Sequence, residues 1–314
     1  MSENRVAGSA RRSARFLQAL RMRTLFRLYP AALMLPALCW GAGVAEALRY
    51  LGGEVASWPR ENRCYSCHNN GDAARTLLRA HRMGLPVDQQ NLRGTLDWLA
   101  NPERWDNQPG DPAFGDRKLA RIQFAAALLE AIEAGAIPDR GALEKAAALV
   151  AAMQEQEGGF TVDPESSSGS PVTYGPMLAT HMARRVLLAG GKKQEASRAE
   201  QWLRNRRAAS LVDAAAKLMA TGDPGAAEFV LSRQAPNGSW LSEAFDTALA
   251  LLALEQNKEP RAQEAIARGR RYLLDSQLPE GGWRGTTRPA GAASYAQHVS
   301  TSGWAALALL ATAP

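Results

Sequence analysis

The sequence is poor in cysteine and histidine, with three of one and four of the other in 314 residues. The cysteines are Cys39, Cys64 and Cys67, and none follows Cys67. That excludes a disulfide-stapled scaffold over most of the chain, and any metal site there that depends on a thiolate. No two acidic residues are adjacent anywhere, so paired-carboxylate motifs of the Asp-Asp kind are missing. No segment alternates convincingly between polar and apolar residues, which removes strands and leaves an all-α class. A basic body is lacking too. Residues 1–47 hold seven arginines against two glutamates, which takes five of the six net positive charges and leaves +1 for residues 48–314. Nucleic acid is therefore not expected as a partner.

What is present starts with a leader. An arginine-rich stretch precedes the apolar run "LYPAALMLPALCWGAGVA" (28–45) and the small-x-small triplet Ala45-Glu46-Ala47. This reads as an export signal over 1–47, with Met22 as an alternative start. Cys39 is discarded with it. Export implies a periplasmic or cell-envelope location, and membrane association only if the segment stays uncleaved as an anchor. Past residue 115 the pattern is helical. Units are expected at 118–135, 141–156, 174–191, 210–223, 245–256, 261–277 and 300–312.

A short motif punctuates these units: "QEGGF" (156–160), "QAPNGSW" (234–240) and "QLPEGGW" (277–283). Glycine ends a helix, the aromatic packs back onto it, and the glutamine amide bonds exposed backbone at the next terminus. The aromatics lie 80 and 43 residues apart, which fits a repeat of about 40 residues with one degenerate copy.

Joined to helices such as "DTALALLAL", these motifs resemble the repeats of squalene–hopene cyclases and prenyltransferase β subunits. The stretch "CYSCHNNGDAA" ahead of them, with the "GSPVTYG" (169–175) and "TTRPAGAASYAQHVSTSGW" (286–304) loops, resembles a bacterial group of such repeat proteins common in planctomycetes. The resemblance implies an α/α toroid of about six helix pairs, inner helices ringed by outer ones. The toroid is expected over 115–314, after a Cys-x-x-Cys-His segment over 48–114. It also implies a central cavity near the starts of the inner helices, with Tyr174, Met177, His181, Asp246, Tyr295, His298 and Trp304 as pocket candidates. The acid motif of the cyclases is absent; Phe245 stands where a second acid would, and Asp246 reads first as a helix N-cap and second as a pocket acid. The zinc site of the prenyltransferases lacks its cysteine. Neither inherited activity is expected in its usual form.

The remaining chemistry sits in "RCYSCH" (63–68). Two thiols three positions apart, with histidine following, match c-type haem attachment: Cys64 and Cys67 add to the vinyl groups and His68 binds iron. A redox dithiol, a strained disulfide, or a zinc site recruiting His81 are the alternatives. The helix expected over 72–84, starting near Asp72, offers His81 or Met83 as a second axial ligand; Met177 or His181 of the toroid are others. Trp98 and Trp105 either wall the haem or glue this segment to the toroid. The first expectation is an exported haem c protein working in electron transfer or redox-linked binding, with a redox protein and a hydrophobic or isoprenoid ligand as partners. The second is an isoprenoid- or lipid-acting enzyme related to terpene cyclases. The third is a non-enzymatic interaction module with a structural Cys-x-x-Cys.

Overall fold

The computed structural model describes residues 41–108, 117–162, 175–286 and 294–314. Those residues are all-α, with no strand among them. Twelve α-helices alternate between two environments. The outer set comprises α1 (Gly41–Asn62), α3 (Gln89–Leu99), α5 (Arg140–Ala151), α7 (Lys193–Asn205), α9 (Pro224–Leu231) and α11 (Pro260–Asp275). The inner set comprises α2 (Ala74–Arg82), α4 (Arg117–Glu133), α6 (Gly175–Ala189), α8 (Leu211–Thr221), α10 (Ala244–Leu254) and α12 (Tyr295–Ala311). A π-helical segment, Cys67–Ala73, runs directly into α2.

Composition decides which helix goes where. Helix α10, "AFDTALALLAL", is buried on nearly every side, as a helix apolar all round must be. Its alanines let neighbouring inner helices approach closely. Outer helices such as α7 and α11 carry a buried stripe of Ala and Leu and a charged outer face. The inner helices pack in sequence, α2 on α4, then α6, α8, α10 and α12, and α12 closes on α2 and its π-helical lead. This is the expected toroid of six pairs.

The glutamine motif is a clamp between one pair and the next. Gln154, Gln234 and Gln277 each donate through Nε2 to two carbonyls. One is the clamp's own glycine four residues on; the other belongs to an outer helix, at Glu195, Ala265 and Gly43 respectively. The first copy therefore begins at Gln154, two residues before the expected Gln156. Gly158, Gly238 and Gly281 have φ of +101°, +87° and +102°, and a Cβ on each would lie 2.5 Å from the carbonyl oxygen of Arg198, Arg268 or Glu46. Only glycine meets both demands. The aromatic's backbone N–H then donates to a hydroxyl on the inner helix: Phe160 to Thr180, Trp240 to Thr247, Trp283 to Ser302.

The third clamp closes the ring on its own beginning, because Gly43 and Glu46 belong to α1. Residues 41–47, the end of the expected leader, are the first two turns of α1, with Val44 and Ala47 buried. The earlier part of the expected leader, including Met22 and Cys39, lies outside the described residues. Residues 41–314, on both sides of the expected division at 114/115, fall in one compact unit. The Cys-x-x-Cys-His segment is the inner half of the first pair. No helix among the described residues is long and apolar enough to cross a membrane.

Candidate functional site

The expected site residues fall into two clusters. The first surrounds the π-helical segment. Ser66 caps it, its Oγ accepting from Asn69 N at 3.1 Å. Asn69 Nδ2 donates to Glu54 O (2.9 Å) and the Tyr295 hydroxyl (2.8 Å); Asn70 Nδ2 donates to Val55 O (3.2 Å) and Thr95 Oγ1 (2.8 Å). The two asparagines thus fasten the first inner helix to α1, α3 and α12. His68, 8 % exposed, stands edge-on to Trp58 (4.9 Å) and Tyr295 (5.7 Å), and Trp58 stacks on Tyr295 at 5.3 Å. Burial holds the imidazole neutral, with its pKa lowered to about 3. His68 Nε2 is buried without a hydrogen-bond partner. His298 lies nearby, half-buried against Tyr50 (5.8 Å) and 3.8 Å from Glu280.

Cys64 is buried, Cys67 half-buried, and no disulfide joins them. Because Nε2 is covered, an iron there would require the packing over that nitrogen to move. His81 and Met83 lie at the opposite end of the same continuous helix, roughly 20 Å along its axis from His68. Met83 caps that helix in solvent, and His81 Nδ1 contacts Gln89. No group of three or more His, Cys, Asp or Glu side chains suited to a metal ion occurs among the described residues. Trp98 stacks on Tyr65 (4.8 Å) and meets Phe124 edge-on, and Trp105 donates to Trp98 O; they join α3 to α4.

The second cluster lies towards the C-terminal ends of the inner helices, around a cavity of about 850 Å³. Its apolar walls are Met182, Leu218, Leu252, Leu307 and Trp304. Four arginines join them: Arg75 and Arg79 from α2, Arg184 and Arg185 from α6. Glu130 of α4, 1 % exposed, holds Arg79 through two hydrogen bonds (2.9 and 2.6 Å), with Arg185 at 3.5 Å and Arg82 at 3.7 Å. Burial alone would raise the Glu130 pKa, but the Arg79 hydrogen bonds and the surrounding guanidinium charges bring it below the usual carboxylate range. His181 lines the same cavity. Burial first, then Arg185, Arg184 and Arg75, lower its pKa to about 3, and its Nδ1 has no partner. Arg75 stacks over Trp304 at 4.0 Å.

The two remaining expected residues with described positions are both buried. Met177 lies in the first turns of α6. Asp246 corrects the N-cap reading: Glu243 occupies that position, and Asp246, 0 % exposed, is the third residue of α10. Tyr174 lies outside the described residues. Residues that the sequence did not single out are Arg75, Glu130, Asn69, Asn70 and Asp72. Asp72 reads as a helix start, yet it is buried mid-helix, accepting from Gln123 Nε2 (2.9 Å) and Ser300 Oγ (2.5 Å). A polar run inside an otherwise helical pattern was the available signal.

No protein-family model and no curated protein sequence matches the chain. Solved structures do. The type II terpene cyclase MstE from Scytonema matches with a TM-score of 0.57 at 15% identity, over 87% of this chain and 98% of that one. A protein from Actinoplanes matches with a TM-score of 0.56 at 17% identity, over 86% of this chain and 100% of the other. The ent-copalyl diphosphate synthase from Streptomyces platensis matches with a TM-score of 0.50 at 18% identity, over 77% of this chain and 50% of the synthase. At such identities the likeness is one of fold: the chain is a terpene cyclase-like α/α toroid.

Proposed function

We propose that this toroid takes an isoprenoid-type lipid into the cavity at the C-terminal ends of its inner helices and acts on it there. The observation that carries the reading is the cavity itself: about 850 Å³ inside a terpene cyclase-like ring, with methionine, leucine and tryptophan walls. That volume suits a medium-sized hydrophobic ligand. Fold alone assigns no reaction. Three carboxyls are buried among the described residues: Asp72, Glu130 and Asp246. Glu130 is committed to arginine, Asp72 accepts from Gln123 and Ser300, and Asp246 lies in the first turn of α10, at the other end of that helix from the cavity residues Leu252, Ala253 and Glu255.

The test is thermal stabilisation by squalene, geranylgeraniol and geranylgeranyl diphosphate, followed by mass spectrometry of the extracted lipid. The expected result is a rise in Tm with at least one prenyl compound and a new product in the extracted lipid. Absence of both a shift and a product with all three lipids would overturn the reading.

A second reading rests on one observation, the unpartnered Nε2 of His68 beside the Cys64 and Cys67 side chains. It assigns covalent haem c to Cys64, Cys67 and His68 of an exported protein, and with it redox chemistry towards a protein partner. It requires the packing around His68 to open. A reduced pyridine haemochrome spectrum after export with cytochrome c maturation factors decides it; a colourless protein ends that reading.

A further inference from the structure

Arg75 is the least satisfied charge in the described molecule. Its side chain is only 2 % exposed, and its Nε and Nη2 have no hydrogen-bond partner. Its one close companion is the face of Trp304. An arginine cannot escape this by losing its proton, since its guanidinium stays charged at any working pH. The nearby carboxylate is already taken: both oxygens of Glu130 are bonded by Arg79, and Arg185 and Arg82 approach them as well. Arg82 has Glu133 besides, and Arg184 has Glu200. Counting Arg75, Arg79, Arg82 and Arg185 against Glu130, Glu133 and Glu255, whose charge acts on Arg79, leaves this cluster one positive charge in excess. The cavity's other acids are Glu228 on α9, which pairs with Arg261, and Glu259 at the start of α11. Opposite Arg75, on α6, His181 offers a second buried nitrogen without a partner.

A buried guanidinium without an anion costs several kcal/mol, and a planar fork of donors matches phosphate oxygens. We propose that Arg75, with Arg185 and His181, is the recognition site for a phosphate or diphosphate group on the lipid that the cavity takes. This inference rests on the isoprenoid reading and adds its head group. The apolar walls would hold the prenyl chain, and the guanidinium on Trp304 would meet the anion once the packing over its Nε and Nη2 moves, without any proton uptake.

The experiment compares three probes, farnesyl diphosphate, farnesol and inorganic pyrophosphate, on the full chain and on Arg75→Met and Arg75→Lys. Affinity is read by calorimetry and stability by thermal unfolding at low chloride. The expected result is that farnesyl diphosphate binds at least tenfold tighter than farnesol. At a hundredfold excess over its Kd it should raise Tm by about 5–10 °C. Arg75→Met should lose the tenfold preference, and Arg75→Lys should keep part of it. Without ligand, Arg75→Met should be at least as heat-stable as the parent, because an unpaired buried charge has been removed. If Arg75→Met does not fold, the lysine variant still decides by its reduced preference.

Equal affinity for the alcohol and the diphosphate, or unchanged diphosphate binding in both variants, would overturn the head-group site and leave the isoprenoid reading standing. Arg75-dependent binding of pyrophosphate with no binding of either prenyl compound would sustain the anion site and overturn the lipid. Loss of ligand-free stability in Arg75→Met with no effect on any probe would make Arg75 structural only.

Discussion

His68 and His181 sit on the same ring of inner helices, are both buried, and both have pKa values lowered to about 3, yet their surroundings differ in kind. Around His68 the neighbours are rings and amides: Trp58, Tyr295, Asn69 and Asn70, each with a role in joining helices. Burial alone holds it neutral. Around His181 the neighbours are guanidiniums, and their charge adds to burial. One cluster has bonded asparagine amides and two buried ring nitrogens without partners, Trp58 Nε1 and His68 Nε2; the other holds an excess of positive charge and a cavity. The difference separates a packed junction of helices from the proposed binding cavity, although the sequence advertises the first with a motif and the second with nothing.

The largest effect should come from removing the one buried anion of the arginine cluster. Glu130→Ala would leave Arg79 and its companions without compensation, and is expected to destabilise the protein by about 3–5 kcal/mol. Asn69→Ala, the matching cut in the aromatic cluster, removes neutral hydrogen bonds and is expected to cost about 1–3 kcal/mol. Urea unfolding of both variants checks the ranking. If Asn69→Ala proves the more damaging, the arginine cluster is not where the electrostatic tension lies.

Much of the fold was legible in the sequence, for physical reasons that can be named. The clamp motif repeats because Gly158, Gly238 and Gly281 tolerate no side chain, so the chain cannot drift there. Helices α4 and α10 announce themselves by composition. The outer helix α7 was missed because its buried stripe is short and its other faces are charged. The sites were less legible. "CYSCH" drew the eye, but its spacing is silent about Trp58 and Tyr295, which come from α1 and from α12 at the far end of the chain. Arg79 and Glu130 meet only because α2 and α4 are adjacent in the ring. Ordinary-looking residues 51 positions apart in sequence carry no mark of that.

Acid should weaken the fold through both histidines, and salt or ligand should tell them apart. Each is neutral when folded down to about pH 3 and protonates near 6.5 when unfolded. The unfolded state therefore binds more protons between these values, and stability falls as pH falls through that window. The slope is about 1.4 kcal/mol per pH unit for each histidine. His68→Gln and His181→Gln should each flatten the profile by one such contribution. Pyrophosphate should raise the His181 pKa, read by proton NMR, and leave His68 unmoved. A shift at both would erase the distinction between the clusters.

The smallest change tests how self-sufficient the aromatic cluster is. The Tyr295 hydroxyl accepts from Asn69 Nδ2 and donates to the Glu54 carboxylate, while its ring stacks on Trp58. Tyr295→Phe keeps the stack and deletes both hydrogen bonds. Tyr295 is 44 % exposed and Asn69 keeps its bond to Glu54 O, so water replaces part of what is lost. The expected cost is about 1 kcal/mol, measured by urea unfolding. In the parent protein, burial and the neighbouring Glu54 also push the Tyr295 pKa up. Ultraviolet titration should therefore show one fewer late-ionising tyrosine in the variant. If Tyr295→Phe instead loses as much as Glu130→Ala, the hydroxyl governs more than this junction. His68, whose ring faces the same tyrosine, would then return as a functional residue rather than a packed one.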